Sequence, residues 1–276
     1  MRPSSAALRF QVESALAGRV SSPFRLRDTG PSATVPIGIP ALDESTGGLP
    51  RGSLTEIYGP VSSGKTSFLL SALAGRTSSA EVCALIDAQD IFDPHRAQSA
   101  GVSLQRILWV RCHSVDEALR STDLLLHGGG FGLIALDLGD VSARLVRQVP
   151  LNVWFRLRRA VENTPTILMV LSRESNAKSC ASLVLCLERE TSAWSAQLQS
   201  NSSRVHTPSC SLDGWTSAAE IVRSRMQRAP RNSEFPKNGK EEKVRFSVGS
   251  VQPPEPVSAR IISFSNHEKE RAYQPG

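Results

Sequence analysis

A glycine-rich turn constrains this chain more than any other feature of its sequence. Gly59 and Gly64 enclose four residues, and Lys65 and Thr66 follow directly, which matches the spacing G-x-x-x-x-G-K-[ST]. Glycines at these places let the backbone curl so that its N–H groups point inward at phosphate oxygens. The lysine would supply a cation to the β- and γ-phosphates, and the threonine hydroxyl would reach Mg²⁺. The predicted phosphate-binding residues are Gly59, Pro60, Val61, Ser62, Ser63, Gly64, Lys65 and Thr66.

The segments on either side of this turn decide between a phosphate loop and an ordinary Gly/Ser-rich surface loop. Residues 54–58 read as a short strand, and residues 67–74 have the apolar spacing of a helix. A helix that begins at the loop aims its positive N-terminal end at the phosphates. Strand, glycine-rich turn and helix are the context that the motif requires. We therefore expect the chain to bind a nucleotide.

The rest of the chain alternates apolar strands with amphipathic helices. Such alternation predicts an α/β fold with a mostly parallel central sheet that is flanked by helices. Further strands are predicted at residues 81–88, 107–112, 131–138, 166–172, 181–188 and 219–225, and further helices at 94–100, 115–127 and 151–162.

The chain of 276 residues has room for one such domain and its appendages. We expect an N-terminal helix and linker in residues 1–34, with the helix at 5–16, and an ATP-binding domain in residues 35–228. Residues 229–276 are rich in Pro, Lys, Glu, Asn and Ser and are expected to form a largely disordered polar tail.

Composition narrows the class of protein only slightly. Lys and Arg outnumber Asp and Glu by 32 to 26, a mild excess that suits a polyanionic partner. No apolar run has the length of a membrane span, so we expect a cytoplasmic protein with no membrane partner. Five cysteines without C-x-x-C spacing indicate free thiols more than disulfides or a zinc site.

A carboxylate at the end of an apolar strand is the second part of the predicted nucleotide site. Residues 131–137 form such a strand and end in Asp137. A phosphate-loop NTPase places the acid that holds Mg²⁺ at this point. Asp87 ends the preceding strand and is the alternative. Thr66 and Asp137 are therefore the predicted Mg²⁺ residues.

Three blocks of the sequence resemble the bacterial RecA family. They read GGLPRGSLTEIYGPVSSGKTS, CALIDAQDIFDPHRAQSAGVSLQRIL and GLIALDLGDV, and the resemblance covers about residues 35–190. It implies a RecA-like P-loop NTPase fold with ATP and Mg²⁺ as cofactors. It also implies single-stranded DNA and further copies of the chain as partners, because recombinases of this family assemble on single-stranded DNA.

Several positions depart from the RecA pattern at the nucleotide. Gln89 stands where RecA carries the glutamate that activates the attacking water, and glutamine cannot take that proton at neutral pH. Its neighbour Asp90 would point to the other face if the strand continued. Arg96 replaces the tyrosine that stacks on adenine, while the base-contacting Asp93 is kept. The resemblance therefore implies bound ATP, weak or no hydrolysis and, at most, a DNA-dependent ATPase.

The DNA-binding loops of the family are shortened in this chain. Residues 139–149 replace the first and residues 173–179 the second, where Arg173 stands in place of a phosphate-sensing glutamine. Full strand exchange is therefore not expected. Arg223 and Arg225 match two RecA lysines that reach the neighbouring subunit's ATP. The alternative reading is two solvated arginines on an edge strand.

Arginines that follow the Asp137 strand are candidates for binding the DNA backbone. If residues 151–162 are helical, Trp154, Leu157 and Val161 form the buried stripe. Phosphate contacts from arginines would be independent of sequence and would weaken with salt. A solvated helix face is the competing interpretation. The candidate residues are Arg144, Arg147, Arg156 and Arg159.

Two functional hypotheses follow from these residues. The first is a RecA-like ATP-binding protein of DNA recombination and repair in an SOS-type DNA-damage response. The second is a scaffold that docks RecA and a translesion polymerase and binds little DNA itself. The ImuA proteins of mutagenic repair, which residues 149–171 resemble, are such an accessory branch. An ATPase unrelated to DNA fits the phosphate loop but not the IDAQDIFDP block.

Overall fold

The computed structural model of this protein describes residues 33–197, 209–225, 243–249 and 261–263. Side chains are described in residues 33–192, 214–225 and 243–246. The helix expected at residues 5–16 and most of the polar tail lie outside the described residues.

The described elements follow the α/β alternation that the sequence predicts. The strands are β1 (Thr34–Val35), β2 (Leu49–Pro50), β3 (Ser53–Tyr58), β4 (Cys83–Asp87), β5 (Ile107–Arg111), β6 (Leu133–Asp137), β7 (Ile167–Ser172), β8 (Leu183–Gln197), β9 (Ser209–Ser224), β10 (Lys243–Gly249) and β11 (Ile261–Ser263). The helices are α1 (Pro40–Thr46), α2 (Lys65–Ser78), α3 (Pro94–Ser99), α4 (Val115–Gly128), α5 (Ala143–Arg147) and α6 (Leu151–Val161). Short 3₁₀ turns lie at Leu104–Arg106 and Lys178–Cys180. None of the helices in the described residues has both the length and the apolar character that crossing a membrane requires.

Nine of these strands form one sheet in the order β10-β9-β8-β3-β7-β6-β4-β5-β11. Seven neighbouring strands of this order, β8, β3, β7, β6, β4, β5 and β11, run parallel to one another. Strands β9 and β10 extend the sheet beyond β8, and each is antiparallel to the strand before it at this edge. The fold is therefore α/β with a mostly parallel sheet, as the sequence predicts, and it is consistent with the RecA-like fold that the resemblance implies.

The central parallel strands β3, β4, β6 and β7 bury both of their faces. Successive side chains of a strand point to opposite sides of the sheet, so Leu85 and Ile86 of β4 enter different apolar layers. On the first side, α2 covers the sheet with Phe68. On the second side, α6 covers it with Trp154 and Leu157, both fully buried. This two-sided burial is why the strands read as continuous apolar runs.

The β8–β9 hairpin is much longer than the sequence analysis anticipates. Cys186 pairs with Tyr58 at the end of β3, yet β8 continues to Gln197. The extension therefore rises roughly 30 Å beyond the carboxyl edge of the parallel strands. Its polar residues carry no apolar run that would reveal a strand, and the pairing of β8 with β9 stabilises it.

Two segments of the residues assigned to the polar tail are strands. Strand β10 pairs antiparallel with β9, and β11 pairs parallel with β5. Two ion pairs cross over β9 to reach β8: Lys243 lies 3.2 Å from Glu188, and Arg245 lies 2.7 Å from Glu190. Strand β9 lies between β8 and β10, but Arg223 lies on β9 beyond the residues that pair with β10, and Arg225 follows the end of β9. The pairing with β10 covers β9 up to Glu220 only.

Candidate nucleotide-binding site

The predicted phosphate loop connects β3 to α2 at the carboxyl edge of the sheet. Helix α2 begins at Lys65, and Gly64 before it has a φ of 98°, in the left-handed region that favours glycine. Gly59 is required for a different reason, because a Cβ there would lie 2.1 Å from the carbonyl oxygen of Leu187. The two glycines of the motif thus solve a conformational problem and a packing problem.

Lys65 folds back across the loop that precedes it. Its Nζ donates hydrogen bonds of 2.6 Å to the carbonyl oxygens of Gly59 and Pro60 and lies 3.4 Å from Ser63 Oγ. Burial lowers the pKa of Lys65, and the nearby Asp140 and Asp137 oppose that shift. The ammonium is therefore held at the mouth of the loop, where P-loop lysines meet phosphate oxygens.

Asp137 lies beside this lysine. Both groups flank Gly139, since a Cβ there would be 3.0 Å from Asp137 Oδ1 and 3.4 Å from Lys65 Cε. Burial raises the pKa of Asp137 to about 6; the Gly139 N–H bond opposes that rise, and the charges of Asp87 and Asp140 add to it. Because burial disfavours the ionised form of Asp137, a bound cation would stabilise its carboxylate. Carboxylate oxygens are the ligands that Mg²⁺ takes in proteins.

Asp87, the alternative metal carboxylate, has a structural role. It pairs with Asp137 across β4 and β6 and is fully buried. Its Oδ1 accepts from the N–H of Gln89 at 3.1 Å and its Oδ2 from that of Phe92 at 2.8 Å. Of the two carboxylate oxygens of Asp137, only Oδ1 accepts a hydrogen bond from the described residues, namely from the Gly139 N–H at 2.8 Å. Asp137 is therefore the better candidate for Mg²⁺.

A cleft of about 360 Å³ opens over the phosphate loop. Arg96 of α3 and Asp137, both predicted site residues, line it. Gln89 and Asp93 do not line it: Gln89 is exposed, and Asp93 caps α3 by accepting from the N–H groups of His95 and Arg96. The lining residues are Val61, Ser62, Ser63, Gly64, Lys65, Thr66, Ser67, Arg96, Asp137, Gly139, Asp140, Leu171, Arg189 and Trp215.

The sequence analysis misses two large side chains of this cleft, Arg189 and Trp215. Both belong to the β8–β9 hairpin, and the register of β8 against β9 shifts between Arg189 and Thr191. Such bulges redirect side chains and are common beside active sites. In the sequence, the only signal for this part of the cleft is a tryptophan in an otherwise polar segment.

Asp90, the neighbour of Gln89, is engaged elsewhere. Strand β4 ends at Asp87, so the alternation assumed for Asp90 does not continue, and the residue has a φ of 57°. Its carboxylate accepts from both Nε, at 2.5 Å, and Nη2 of Arg111. This pairing lowers the pKa of Asp90. The carboxylate is thus held by an arginine outside the cleft lining.

The two shortened loops are tied to each other. Arg147 donates two hydrogen bonds of 2.7 Å to Glu174. Arg173 donates to the carbonyl oxygens of Gly139 and Asp140 at 3.3 and 3.2 Å. The segment that follows β6 and the segment that follows β7 therefore hold one another at the edge of the cleft.

The buried carboxylate of Glu56 fixes the position of the loop that follows β7. Glu56 of β3 is fully buried and accepts from Ser175 Oγ at 2.7 Å and from the N–H groups of Asn176 and Ala177 at 2.6 and 2.8 Å. Several hydrogen bonds compensate the desolvation of the buried acid. The loop after β7 is consequently attached to the strand that leads into the phosphate loop.

The candidate DNA-binding arginines lie on α5 and α6. Trp154, Leu157 and Val161 form the buried stripe of α6, as expected. All four arginines are exposed, but Arg147 is paired with Glu174, and Arg156 lies 3.2 Å from Asp123. Within the described residues, Arg144 and Arg159 have no acidic partner and remain the more available cations.

Arg223 and Arg225 lie away from the carboxyl edge of the sheet that carries this cleft. Ser224 pairs with Leu183 at the start of β8, and the Arg225 N–H donates to Ser182 O at 2.9 Å. Arg223 donates to the carbonyl oxygen of Lys178. Neither arginine lines the cleft of its own chain.

Fold and site together define a class of protein. The parallel sheet, the glycine-rich loop at its carboxyl edge and the carboxylate beside Lys65 are the parts of a P-loop nucleoside-triphosphate-binding domain.

Comparison with known proteins shows which family this domain resembles. Residues 27–152 match the RecA N-terminal domain. RecA of Clavibacter michiganensis subsp. michiganensis is 38% identical over 112 residues, which cover 40% of this chain and 31% of that protein. RecA of Cutibacterium acnes is 40% identical over 113 residues, covering 40% and 32%. RecA of Leifsonia xyli subsp. xyli is 32% identical over 162 residues, covering 53% and 45%.

The region of the chain that carries the phosphate loop and Asp137 is therefore similar to the N-terminal domain of the RecA family. The chain spans between about a third and just under half of the length of these relatives. The matched region 27–152 contains the phosphate loop and Asp137 but ends before the hairpin that carries Arg189 and Trp215.

Proposed function

We propose that this chain is a RecA-like protein of DNA recombination and repair that binds Mg·ATP and hydrolyses it slowly or not at all. The observation that carries the proposal is that the phosphate loop, Lys65 and Asp137 meet in one cleft at the carboxyl edge of a RecA-type sheet. The family relationship supports the choice of ATP and of DNA transactions.

The residues present fit Mg·ATP. Thr66 and Asp137 both line the cleft, so the two would hold Mg²⁺, which neutralises charge on the β- and γ-phosphates. Lys65 and the backbone N–H groups of the loop would bind the phosphate oxygens. Arg96 would lie against the nucleoside.

Slow hydrolysis is argued from the side chains that could activate water. Gln89 lacks a basic oxygen and does not line the cleft, and Asp90 is held by Arg111. Without a general base, proton removal from the attacking water loses a contribution of about 10²- to 10⁴-fold. The nucleotide would therefore act as a conformational ligand more than as a fuel.

The test is to measure nucleotide binding and turnover with and without single-stranded DNA. We expect Lys65→Ala to abolish detectable Mg·ATP binding, since it removes the cation of the loop. Arg120→Ala is the matched control, because this exposed arginine on α4 pairs only with Asp116 among the described residues. Rapid DNA-stimulated ATP turnover by the unmodified protein would contradict the argument that Gln89 makes hydrolysis slow.

A second candidate function is supported by the linked loops. The Arg147–Glu174 and Arg173–Gly139 contacts occupy groups that a DNA-holding loop would need free. On this reading the chain is an ImuA-like scaffold that docks RecA and a translesion polymerase in the DNA-damage response, with little DNA affinity of its own.

DNA binding measured at several salt concentrations separates the two candidates. Direct binding predicts affinity that falls with salt and is weakened by the double variant Arg144→Ala and Arg159→Ala. A scaffold predicts negligible affinity for DNA and association of the purified chain with purified RecA when no DNA is present.

A further inference from the structure

The β8–β9 hairpin is packed directly against the phosphate loop. Leu187 of β8 approaches Gly59, and Ser217 of β9 approaches Gly64, where a Cβ would lie 2.8 Å from Ser217 Oγ. Trp215 lies two residues from Ser217, so both side chains leave the same face of β9. The hairpin is therefore one wall of the cleft, and Trp215 stands on that wall.

Trp215 is the single aromatic side chain that lines the cleft within the described residues. Its ring is partly exposed, whereas its Nε1 is buried and has no acceptor among those residues. Buried indole N–H groups usually find a partner. The indole thus offers a π face to the cleft and a donor that lacks an acceptor.

Arg96 approaches the cleft from the other side of the phosphate loop. Arg96 belongs to α3, which follows β4. In the sheet, β4 is the third strand from β3 on one side, and β9 is the second strand from β3 on the other side. A guanidinium plane and an indole therefore enter the cleft from opposite sides of the strand that carries the loop. Both are groups on which a flat ring stacks.

We propose that Trp215 is the base-stacking wall of the nucleotide site, so that the chain takes nucleoside triphosphates with little choice between bases. This inference rests on the proposed function and deepens it, because the phosphate loop would hold the triphosphate and Trp215 the base. Stacking tolerates any base, since every base has a π face. Selectivity would then come from the phosphates and Mg²⁺.

The experiment compares ligands with and without a base on the full chain. Calorimetry gives dissociation constants for Mg·ATP, Mg·GTP, Mg·CTP and Mg·tripolyphosphate, the last of which lacks ribose and base. We expect Trp215→Leu to weaken binding of the three nucleotides by about 5- to 150-fold and to leave tripolyphosphate unchanged. Trp215→Phe keeps a π face and should stay within about 5-fold of the unmodified protein.

Thr216→Ala is the matched control. Thr216 is the next residue of β9, leaves the opposite face and does not line the cleft. It should alter neither class of ligand. Thermal unfolding of each variant checks that the sheet is intact, and Trp215→Phe supplies the answer if Trp215→Leu does not fold.

The outcomes separate this inference from the proposed function. If the unmodified chain binds neither ATP nor tripolyphosphate, both are overturned. If it binds ATP through Lys65 but Trp215→Leu changes nothing, or weakens ATP and tripolyphosphate equally, only the stacking role is overturned. A marked preference for one base that Trp215→Phe retains would also contradict it.

Discussion

Asp87 and Asp137 show how two identical residues at equivalent strand ends acquire different roles. They face each other across β4 and β6, but Asp87 receives two backbone N–H bonds and Asp137 one. Burial is the largest cause that raises the pKa of Asp137 to about 6, and the neighbouring Asp87 adds to it. The residue therefore stores unfavourable energy that a bound cation would relieve.

The first prediction concerns this stored energy. The pKa of Asp137 is 3.8 when unfolded and about 6 when folded, so the folded state keeps the proton longer. Its contribution lowers the free energy of unfolding as pH rises from about 4 to about 6, and the loss persists above. We expect Asp137→Asn to be more stable above pH 6 by on the order of 1–3 kcal/mol, and to show no such gain near pH 4.

Urea unfolding of the nucleotide-free protein at pH 4.5 and 7.5 measures this difference. Asp116→Asn is the control, because Asp116 on α4 is 74% exposed and does not line the cleft. A gain from Asp137→Asn that is equal at both pH values would contradict the argument.

At the scale of elements, a strand from the tail supports the phosphate loop without lining the cleft. Phe246 of β10 pairs with Ser217 of β9, and a Cβ on Gly64 would lie 3.5 Å from its Cζ. Its side chain is only 6% exposed. Strand β10 thus completes the packing behind the last glycine of the loop.

The second prediction is that Phe246→Ala weakens Mg·ATP binding by about 5-fold or more, because the loop loses its support. Val244→Ala is the matched control, since Val244 is buried on the same face of β10 but is not among the nearest contacts of Gly64. Both variants should lower the free energy of unfolding. Equal affinities for Mg·ATP in the two variants would show that β10 adds stability alone.

At the scale of the whole molecule, the Arg223–Arg225 segment lies away from the nucleotide cleft. Residues at the start of β8 and the end of β9 cannot serve a cleft at the carboxyl edge of the same chain. For these two arginines we propose the contact that the family resemblance implies, with the nucleotide of a second copy of the chain.

The third prediction is that combining Arg223→Ala with Arg225→Ala lowers self-association in Mg·ATP and leaves the affinity for Mg·ATP at low protein concentration unchanged. Removing two cations weakens contacts to a neighbouring triphosphate only when a neighbour is present. Sedimentation velocity over a range of concentrations, with Arg120→Ala for comparison, measures this. Unchanged association of the double variant would argue for two solvated arginines.

Local patterns account for the part of the site that the sequence predicts. The loop, the helix that begins at Lys65 and the strand that ends in Asp137 each depend on neighbours within a few residues. Parallel strands place their carboxyl ends at one edge, so the meeting of Lys65 and Asp137 follows from strand order. The alternation of strands and helices likewise indicates the fold class.

The remaining contacts join residues far apart in the chain, and no local pattern records them. Glu56 accepts a hydrogen bond from Ala177, which is 121 positions away in the chain. Trp215 of the polar β8–β9 hairpin lines the cleft over the phosphate loop, and Phe246 of β10 packs near Gly64. Sequence alone determined the glycine-rich turn between β3 and α2, because its backbone conformation depends on about eight residues that are adjacent in the chain. Tertiary structure alone decided what surrounds them, because side chains from separate strands become neighbours only when the sheet has assembled.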